Sequence, residues 1–273
     1  MKERRTLFLD QAIHMIKYHR TSFKKLLEKI LPVTEKFGAG FTFPIVGSIA
    51  LKHEDIISHI LDYDQEIACH GFKHLNYRYL SVEQQRRDIE EALRAFRSLG
   101  VKITGFRAPY NTCPDETARI LDSFGFIWEG SIGFRPQYRE LRRFFRIKIN
   151  GKESSFVCIP QCKWSDDTLI DIYGLSPTKI ARLFIKTMKE TFEDHGVIMF
   201  DLHPIRIGQQ KYIGILEDIL AYGEKLNCWF PKVTESVDYW LKFGCWKDGA
   251  AFCCLLTGDI DNFTLFEYLT RLF

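Results

Sequence analysis

The sequence predicts an α/β fold, one domain over residues 1–273 organised as a parallel β/α barrel. Three observations carry the prediction. Helical and strand-like apolar patterns alternate from Ser22 onward. No linker, low-complexity tract or internal repeat divides the 273 residues. Polar residues collect directly after predicted strands, at His70, Arg107, His203 and Asp259, and in a parallel barrel those positions share the face on which active sites are built.

Taken in order, Ser22 to Phe37 places Phe23, Leu26, Leu27, Ile30, Leu31 and Val33 at helical spacing, with Pro32 set to kink or end the helix. Gly38 and Gly40 lead into a strand over Phe41 to Val46, then a helix over His53 to Leu61 and a strand over Gln65 to Cys69. Ser81 caps a helix running to Leu99, with Glu83 near its first turn and Gly100 after its end. Ile103 to Arg107 reads as a strand, Asp115 to Phe124 as a helix with an acidic first turn, and Phe126 to Glu129 as a strand. Asn150-Gly151 between two apolar runs predicts a hairpin within Phe144 to Pro160. A long amphipathic helix over Ser176 to Asp194 precedes the buried strand Gly196 to Phe200. A helix over Tyr212 to Leu226, a strand over Trp229 to Val233 and a helix over Thr234 to Phe243 follow. Lys247-Asp248-Gly249 turns the chain into the apolar run Ala250 to Leu256, and Phe263 to Leu272 reads as helix.

Hydrophobic residues make up 46% and charged residues 27%, enough for a packed core. The net charge of +3, from 38 Lys and Arg against 35 Asp and Glu, argues against a dedicated nucleic-acid surface. Two local basic runs, Lys2 to Arg5 and Arg135 to Arg146, read as solvated faces, with an anionic ligand as the alternative for the second. The opening MKERRTLFLDQ lacks the apolar core of a signal peptide, and no run reaches the roughly 18 apolar residues of a membrane span. A cytoplasmic location is expected, with the eight cysteines as reduced thiols; without a CxxC pair they do not read as a zinc ribbon.

The chemistry gathers in few places. His70 and His74, four residues apart after a strand, can face one point, where a metal ion would fit; the plainer reading makes one a turn cap and leaves the other in solvent. Asp259 and Asp261 add a carboxylate to the pair, and two neutral imidazoles with one carboxylate form an open site for a divalent metal. Because the chain is turning there, the two carboxylates need not share a target. One would bind metal while the other stands off to accept a proton from water, a division suited to metal-assisted hydrolysis. His203, followed by Pro204, is suited to protonate a departing amide nitrogen. Asp166 and Asp167, after Trp164, are its candidate partners, or parts of a solvated loop.

These residues resemble the polysaccharide deacetylases of the NodB-homology type, from about Ser22 to Phe243. Phe43-Pro44-Ile45-Val46-Gly47 with Ile49-Ala50-Leu51-Lys52-His53 resembles the family's second strand and following helix. His70-Gly71-Phe72-Lys73-His74 is similar to its HxxxH metal motif, Arg107-Ala108-Pro109-Tyr110 to its RxPY motif, and Leu202-His203-Pro204 to the motif of its catalytic acid. The family's first motif, an Asp-Asp or Asp-x-Asp at the end of the first strand, is missing upstream: Asp10 stands alone, and Tyr18-His19-Arg20 lies where it would be expected. Matching residues occur instead in Leu255-Leu256-Thr257-Gly258-Asp259-Ile260-Asp261. A circular permutation accounts for this, because in a closed barrel the first and last strands are neighbours.

The resemblance implies a distorted barrel whose first family strand comes from the C-terminal segment. It implies Asp259 as general base and His203 as general acid, with Asp167 or Asp166 as partner of His203. Arg107 would orient the base, and His70, His74 and Asp261 would hold a divalent metal, zinc, with cobalt, nickel or manganese as alternatives. Pro109, Tyr110 and Trp164 would line the substrate groove, with the Tyr110 backbone N–H on the oxyanion. The expected reaction is removal of an N-acyl group, acetyl foremost, from an amino sugar or glycan precursor. Deformylation of a lipid-linked sugar and allantoinase-like hydrolysis of a small amide are the alternatives within the same fold. Two readings of other kinds stand beside it. One is a catalytically silent barrel that binds carbohydrate. The other puts Tyr18-His19-Arg20 in the vacated strand and uses the C-terminal segment for oligomerisation.

Overall fold

The computed structural model describes residues 13–139 and 141–270. The Lys2 to Arg5 run, Asp10, Glu140 within the second basic run, and Arg271-Leu272 at the end of the last expected helix lie outside the described residues.

The core is a curled parallel sheet. Its strands are β1 (Phe41–Ile45), β2 (Glu66–Cys69), β3 (Gly105–Phe106), β4 (Trp128–Glu129), β7 (Val157–Cys158), β8 (Gln161–Ser165), β9 (Val197–Asp201), β10 (Cys228–Trp229) and β11 (Phe252–Thr257). β5 (Lys148–Ile149) and β6 (Lys152–Glu153) form a separate antiparallel hairpin. The sheet order is β7-β4-β3-β2-β1-β11-β9-β8, with β10 also paired to β11. The C-terminal strand β11 therefore lies between β1 and β9 near the centre of the sheet, parallel to both. That position is not taken by Tyr18-His19-Arg20: residues 13–18 are helical and Tyr18 is half-buried outside the sheet, which corrects that alternative.

Alternate strand residues face opposite sides, and both sides are buried here. Ile67, Cys69, Ile198, Phe200, Cys254 and Leu256 join the large cluster that includes the helices Phe23–Lys36 and Pro177–Glu193. Ala68, Val197, Met199, Cys253 and Leu255 join a smaller cluster with Trp128, Trp246 and Val233 and Val237 of the helix Val233–Phe243. Burial on both faces is why these strands read as unbroken apolar runs.

Several expectations shift. The distorted barrel expected from the sequence takes the form of a curled parallel half-barrel with β7 and β8 at its edges. The expected strands over Ile103 to Arg107 and Phe126 to Glu129 shrink to two residues each. They approach so closely that a Cβ on Gly105 would lie 1.8 Å from the Trp128 ring. The helix Phe23–Lys36 runs through Pro32, because losing one backbone N–H costs less than unpacking the buried stripe Phe23, Leu26, Leu27, Ile30 and Leu31. The hairpin turn forms at Asn150 and Gly151, both with positive φ, but its arms are short and Val157–Cys158 returns to the main sheet beside β4. Among the described residues no helix is long and apolar enough to cross a membrane.

Candidate active site

Because the main sheet is parallel, the C-terminal ends of β2, β3, β8, β9 and β11 open onto one edge. His70, Arg107, Asp166, His203 and Asp259 come just after those ends. Backbone bonds lock the edge together. His70 N–H donates to Ile45 O at 3.1 Å and Arg107 N–H to Cys69 O at 3.0 Å. Ile260 N–H donates to Pro44 O at 2.8 Å, and Val46 N–H to Ile260 O at 3.2 Å. Ile260 is thus held in register against β1 and buried, so its neighbours Asp259 and Asp261 turn to the same side. The expectation of separate targets is corrected in part: both carboxylates approach His70 Nε2, Asp259 at 3.5 Å and Asp261 at 3.4 Å.

His74 Nε2 lies 3.1 Å from Asp261 Oδ1, and the two imidazole centroids are 5.0 Å apart. One donor atom from each of His70, His74 and Asp261 falls within 4.8 Å of the others. His70 Nδ1 donates to Arg107 O at 2.8 Å, which fixes the tautomer and leaves the Nε2 lone pair toward Asp261. The donor set of two imidazoles and one carboxylate with room beside it fits a divalent metal such as zinc. Burial opposes a charge on His70, yet Asp259 and Asp261 hold its pKa above the ordinary value, so this site attracts positive charge.

Arg107 is the hub of the second half. Fully buried, it donates from Nη1 to Asp259 Oδ1 at 2.9 Å and to Asp201 Oδ1 at 3.0 Å, and from Nη2 to Thr257 Oγ1 at 2.7 Å. His203 Nδ1 donates to Asp166 Oδ1 at 2.6 Å and lies 3.9 Å from Asp201. Its Nε2 is then the ring nitrogen left for the cleft. Burial works against charging His203, but Asp201 and Asp166 overcome it and raise its pKa well above the ordinary value. Asp201 itself is pushed up to about 6, chiefly by burial.

It is Asp166, and not Asp167, that meets His203. Asp167 accepts from Thr168 N–H at 2.7 Å and from the Ser165 hydroxyl, capping the turn that follows β8. Burial favours its neutral form, but the charges of His203 and Arg206 outweigh it and lower its pKa. Tyr110 lines the cleft beside His74, ring centroids 4.7 Å apart, in a left-handed backbone conformation. Pro109 is buried under the turn at Gly71, and Trp164 packs edge-on to Tyr173; neither lines the cleft, contrary to the groove expected for them.

Two residues that matter were not singled out from the sequence. Asp201 ends an apolar strand, and the signal for it was a charge at the last position before a candidate histidine. Asp88 sits on the buried stripe of the helix Val82–Ser98 and reaches the loop between His70 and His74. Its carboxylate accepts from Phe72 N–H at 2.9 Å, Lys73 N–H at 3.1 Å and Tyr77 Oη at 2.8 Å, setting the turn between His70 and His74. Gly71 is needed there, since it has positive φ and a Cβ would come 2.7 Å from Asp88.

Residues 16–127 match the family model described as polysaccharide deacetylase. A peptidoglycan deacetylase-like protein, FGM2 of Gibberella zeae, is 32% identical over 74 residues, or 27% of this chain, and the match spans only 22% of that relative's length. Among solved structures, a candidate polysaccharide deacetylase from Mycobacterium smegmatis superposes with a TM-score of 0.69 at 19% identity, over 81% of this chain and 78% of its own. Puue allantoinase gives 0.71 at 19% identity, over 85% and 76%. At such identities the structural likeness is one of fold. The chain thus resembles the polysaccharide deacetylases in sequence over residues 16–127, less than half its length, and shares the fold of these solved structures over most of it.

Proposed function

We propose that the chain is a metal-dependent amide hydrolase that removes an N-acyl group, acetyl foremost, from an amino sugar or glycan precursor. The observation that carries the reading is one cleft edge that joins a two-histidine, one-carboxylate triad, an arginine-held carboxylate and a histidine–aspartate pair. On this reading β11 stands in for the family's first strand, the chain being circularly permuted, and Asp259-Ile260-Asp261 is its Asp-x-Asp. The eight free cysteines suit a reducing compartment such as the cytoplasm.

His70, His74 and Asp261 would hold a divalent metal, zinc for preference, which when bound would supply Lewis acidity. Asp259, oriented by Arg107 Nη1, takes the proton from the attacking water. The water oxygen bonds to the acyl carbon, and the Tyr110 N–H helps hold the negative charge that develops on the acyl oxygen. His203, kept protonated by Asp201 and Asp166, gives its Nε2 proton to the nitrogen as the C–N bond breaks. The products are a carboxylate and a free amine.

The test is acetate and formate release from N-acetylated and N-formylated amino sugars by the purified chain with zinc, before and after chelation. Acetate released with zinc and suppressed by chelator supports the reading. Carbohydrate binding without release of either acid, with zinc bound, would sink it in favour of a silent barrel. A second expected result concerns Asp88→Ala, which strands buried donors worth about 1–3 kcal/mol each. A lower melting temperature and metal binding weakened roughly 10–100-fold, the range for losing an outer partner of a ligand, are expected by calorimetry and metal titration. Metal affinity equal to the parent's would mean that Asp88 does not set the ligand loop.

A further inference from the structure

The cleft has an end wall that comes from outside the catalytic strand ends. Met15 and Phe23, from the segment before β1, and Asn262 and Tyr268, from the segment after β11, line the same cleft as His74, His203, Asp259 and Asp261. Met15, Phe23 and Tyr268 are buried, so they are packed wall and not loose flaps.

The wall is fastened at several points. Tyr18 Oη donates to Asp171 Oδ1 at 2.5 Å, and Arg206 Nε donates to the other oxygen of Asp171 at 2.7 Å. Gln209 Nε2 donates to Tyr18 O at 3.1 Å. His19 Nε2 lies 2.9 Å from Asn262 Oδ1, joining the segment before β1 to the segment after β11. Phe23 packs edge-on to Phe263 with centroids 4.8 Å apart. Glu267 meets His53 Nε2 at 2.8 Å and accepts from the Phe263 and Thr264 N–H groups, which fixes the turn that carries Asn262 to Tyr268. Opening the wall would take the Tyr18 hydroxyl from the nearly buried Asp171, which would keep Arg206, and the His53 imidazole from Glu267, which would keep its backbone donors.

We propose that this wall restricts the site to one N-acylated sugar unit, free or at the end of a glycan, and excludes the interior of a polymer; the proposal rests on the hydrolase reading above. An interior unit needs a groove open on both sides for its neighbours, and here packed residues of the two terminal segments take up part of the cleft lining. The cleft measures about 290 Å³, at the lower limit of roughly 300 Å³ for small-molecule pockets. Its lining also suits a sugar. Tyr110, which is exposed, offers an aromatic face for the ring, and the amide nitrogens of Asn111 and Asn262 offer donors for hydroxyls.

The test uses the whole zinc-loaded chain with N-acetylglucosamine and its β-1,4-linked hexamer. Released acetate is measured, the deacetylated position is mapped by mass spectrometry, and each sugar is titrated calorimetrically. Expected are acetate from the monomer, acetate from a terminal unit of the hexamer only, and similar affinities for the two. Widening the wall with Met15→Ala and Tyr268→Ala should raise hexamer turnover relative to monomer several-fold. Should that pair fail to fold, Tyr18→Phe, which removes a single hydroxyl from the fastening, should move the same ratio in the same direction. Deacetylation of interior units, hexamer bound markedly tighter than monomer, or a ratio indifferent to both variants would overturn the proposal. Absence of acetate from every sugar would count against the hydrolase reading alone. The titrations then decide: equal affinities uphold the restriction, and a preference for the hexamer or binding of neither overturns it.

Discussion

Asp261→Ala is expected to strip the chain of bound divalent metal while leaving it folded. Asp261 supplies one of three ligand atoms and lies 3.1 Å from His74 and 3.4 Å from His70. Losing even an outer partner of a ligand weakens metal binding roughly 10–100-fold, so losing the carboxylate itself should exceed that range. Folding should survive, because the side chain is 25% exposed and the register of its segment is held by the Ile260 backbone and not by the carboxylate. Metal content after dialysis, read beside a melting curve, checks both halves. Metal content equal to the parent's would remove Asp261 from the ligand set and the permuted first motif with it. Asp259→Asn is the companion variant: Arg107 can still hold the amide oxygen, so metal should stay bound while hydrolysis falls roughly 10²–10⁴-fold, the usual worth of a general base. Loss of metal in Asp259→Asn would merge the two roles that the proposal separates.

What could be seen in the chain beforehand was whatever sits close in sequence or repeats with a period. His70 and His74 follow a short apolar strand and are neighbours in the chain, so the pair was visible from its spacing, although the turn that joins them is set by Asp88 from the next helix. The helix Asp115–Phe124 is bounded in the sequence by its acidic first turn and Gly125, and it forms where expected. Details set by distant pairing were hidden. Whether Asp259 and Asp261 share a target depends on Ile260 bonding to Pro44 and Val46, at the other end of the chain. The choice between Asp166 and Asp167 depends on a turn that spends Asp167 on capping. The openness of the barrel depends on two-residue strands and on β8, too short or too irregular to show a period. Asp88 was masked by the surrounding run of charges, although its spacing from Gln85 and Ala92 places it on the buried stripe.

Asp166→Asn is expected to move the alkaline limb of kcat/KM to lower pH. In the parent, burial alone would drive the His203 proton off below the ordinary histidine value of about 6.5. The carboxylates of Asp201 and Asp166 reverse this and carry the pKa well above it. The proton destined for the leaving nitrogen is therefore present at neutral pH and is lost only as pH rises through that higher value. In the variant the amide oxygen can still accept the Nδ1–H bond, so the ring keeps its orientation while the charge that held its proton is gone. Activity near neutral pH should fall by less than the roughly 10²–10⁴-fold worth of a general acid, and the shortfall should grow with pH. Stability follows the same sign. A histidine with a raised folded-state pKa contributes stability that is complete below about 6.5 and disappears as pH climbs through the folded value. Asp201, pushed up to about 6 chiefly by burial, costs stability as a carboxylate above that value, and the cost is relieved as pH falls below it. The two windows are separate: Asp201 lowers stability as pH rises from its ordinary carboxylate range to about 6, and His203 lowers it as pH rises beyond about 6.5. The parent's melting temperature should therefore fall on the alkaline side through His203, less steeply once position 166 is neutral. An alkaline limb that superposes on the parent's would mean that Asp166 does not tune His203. The ring that donates the proton would then have to be sought elsewhere along this cleft edge.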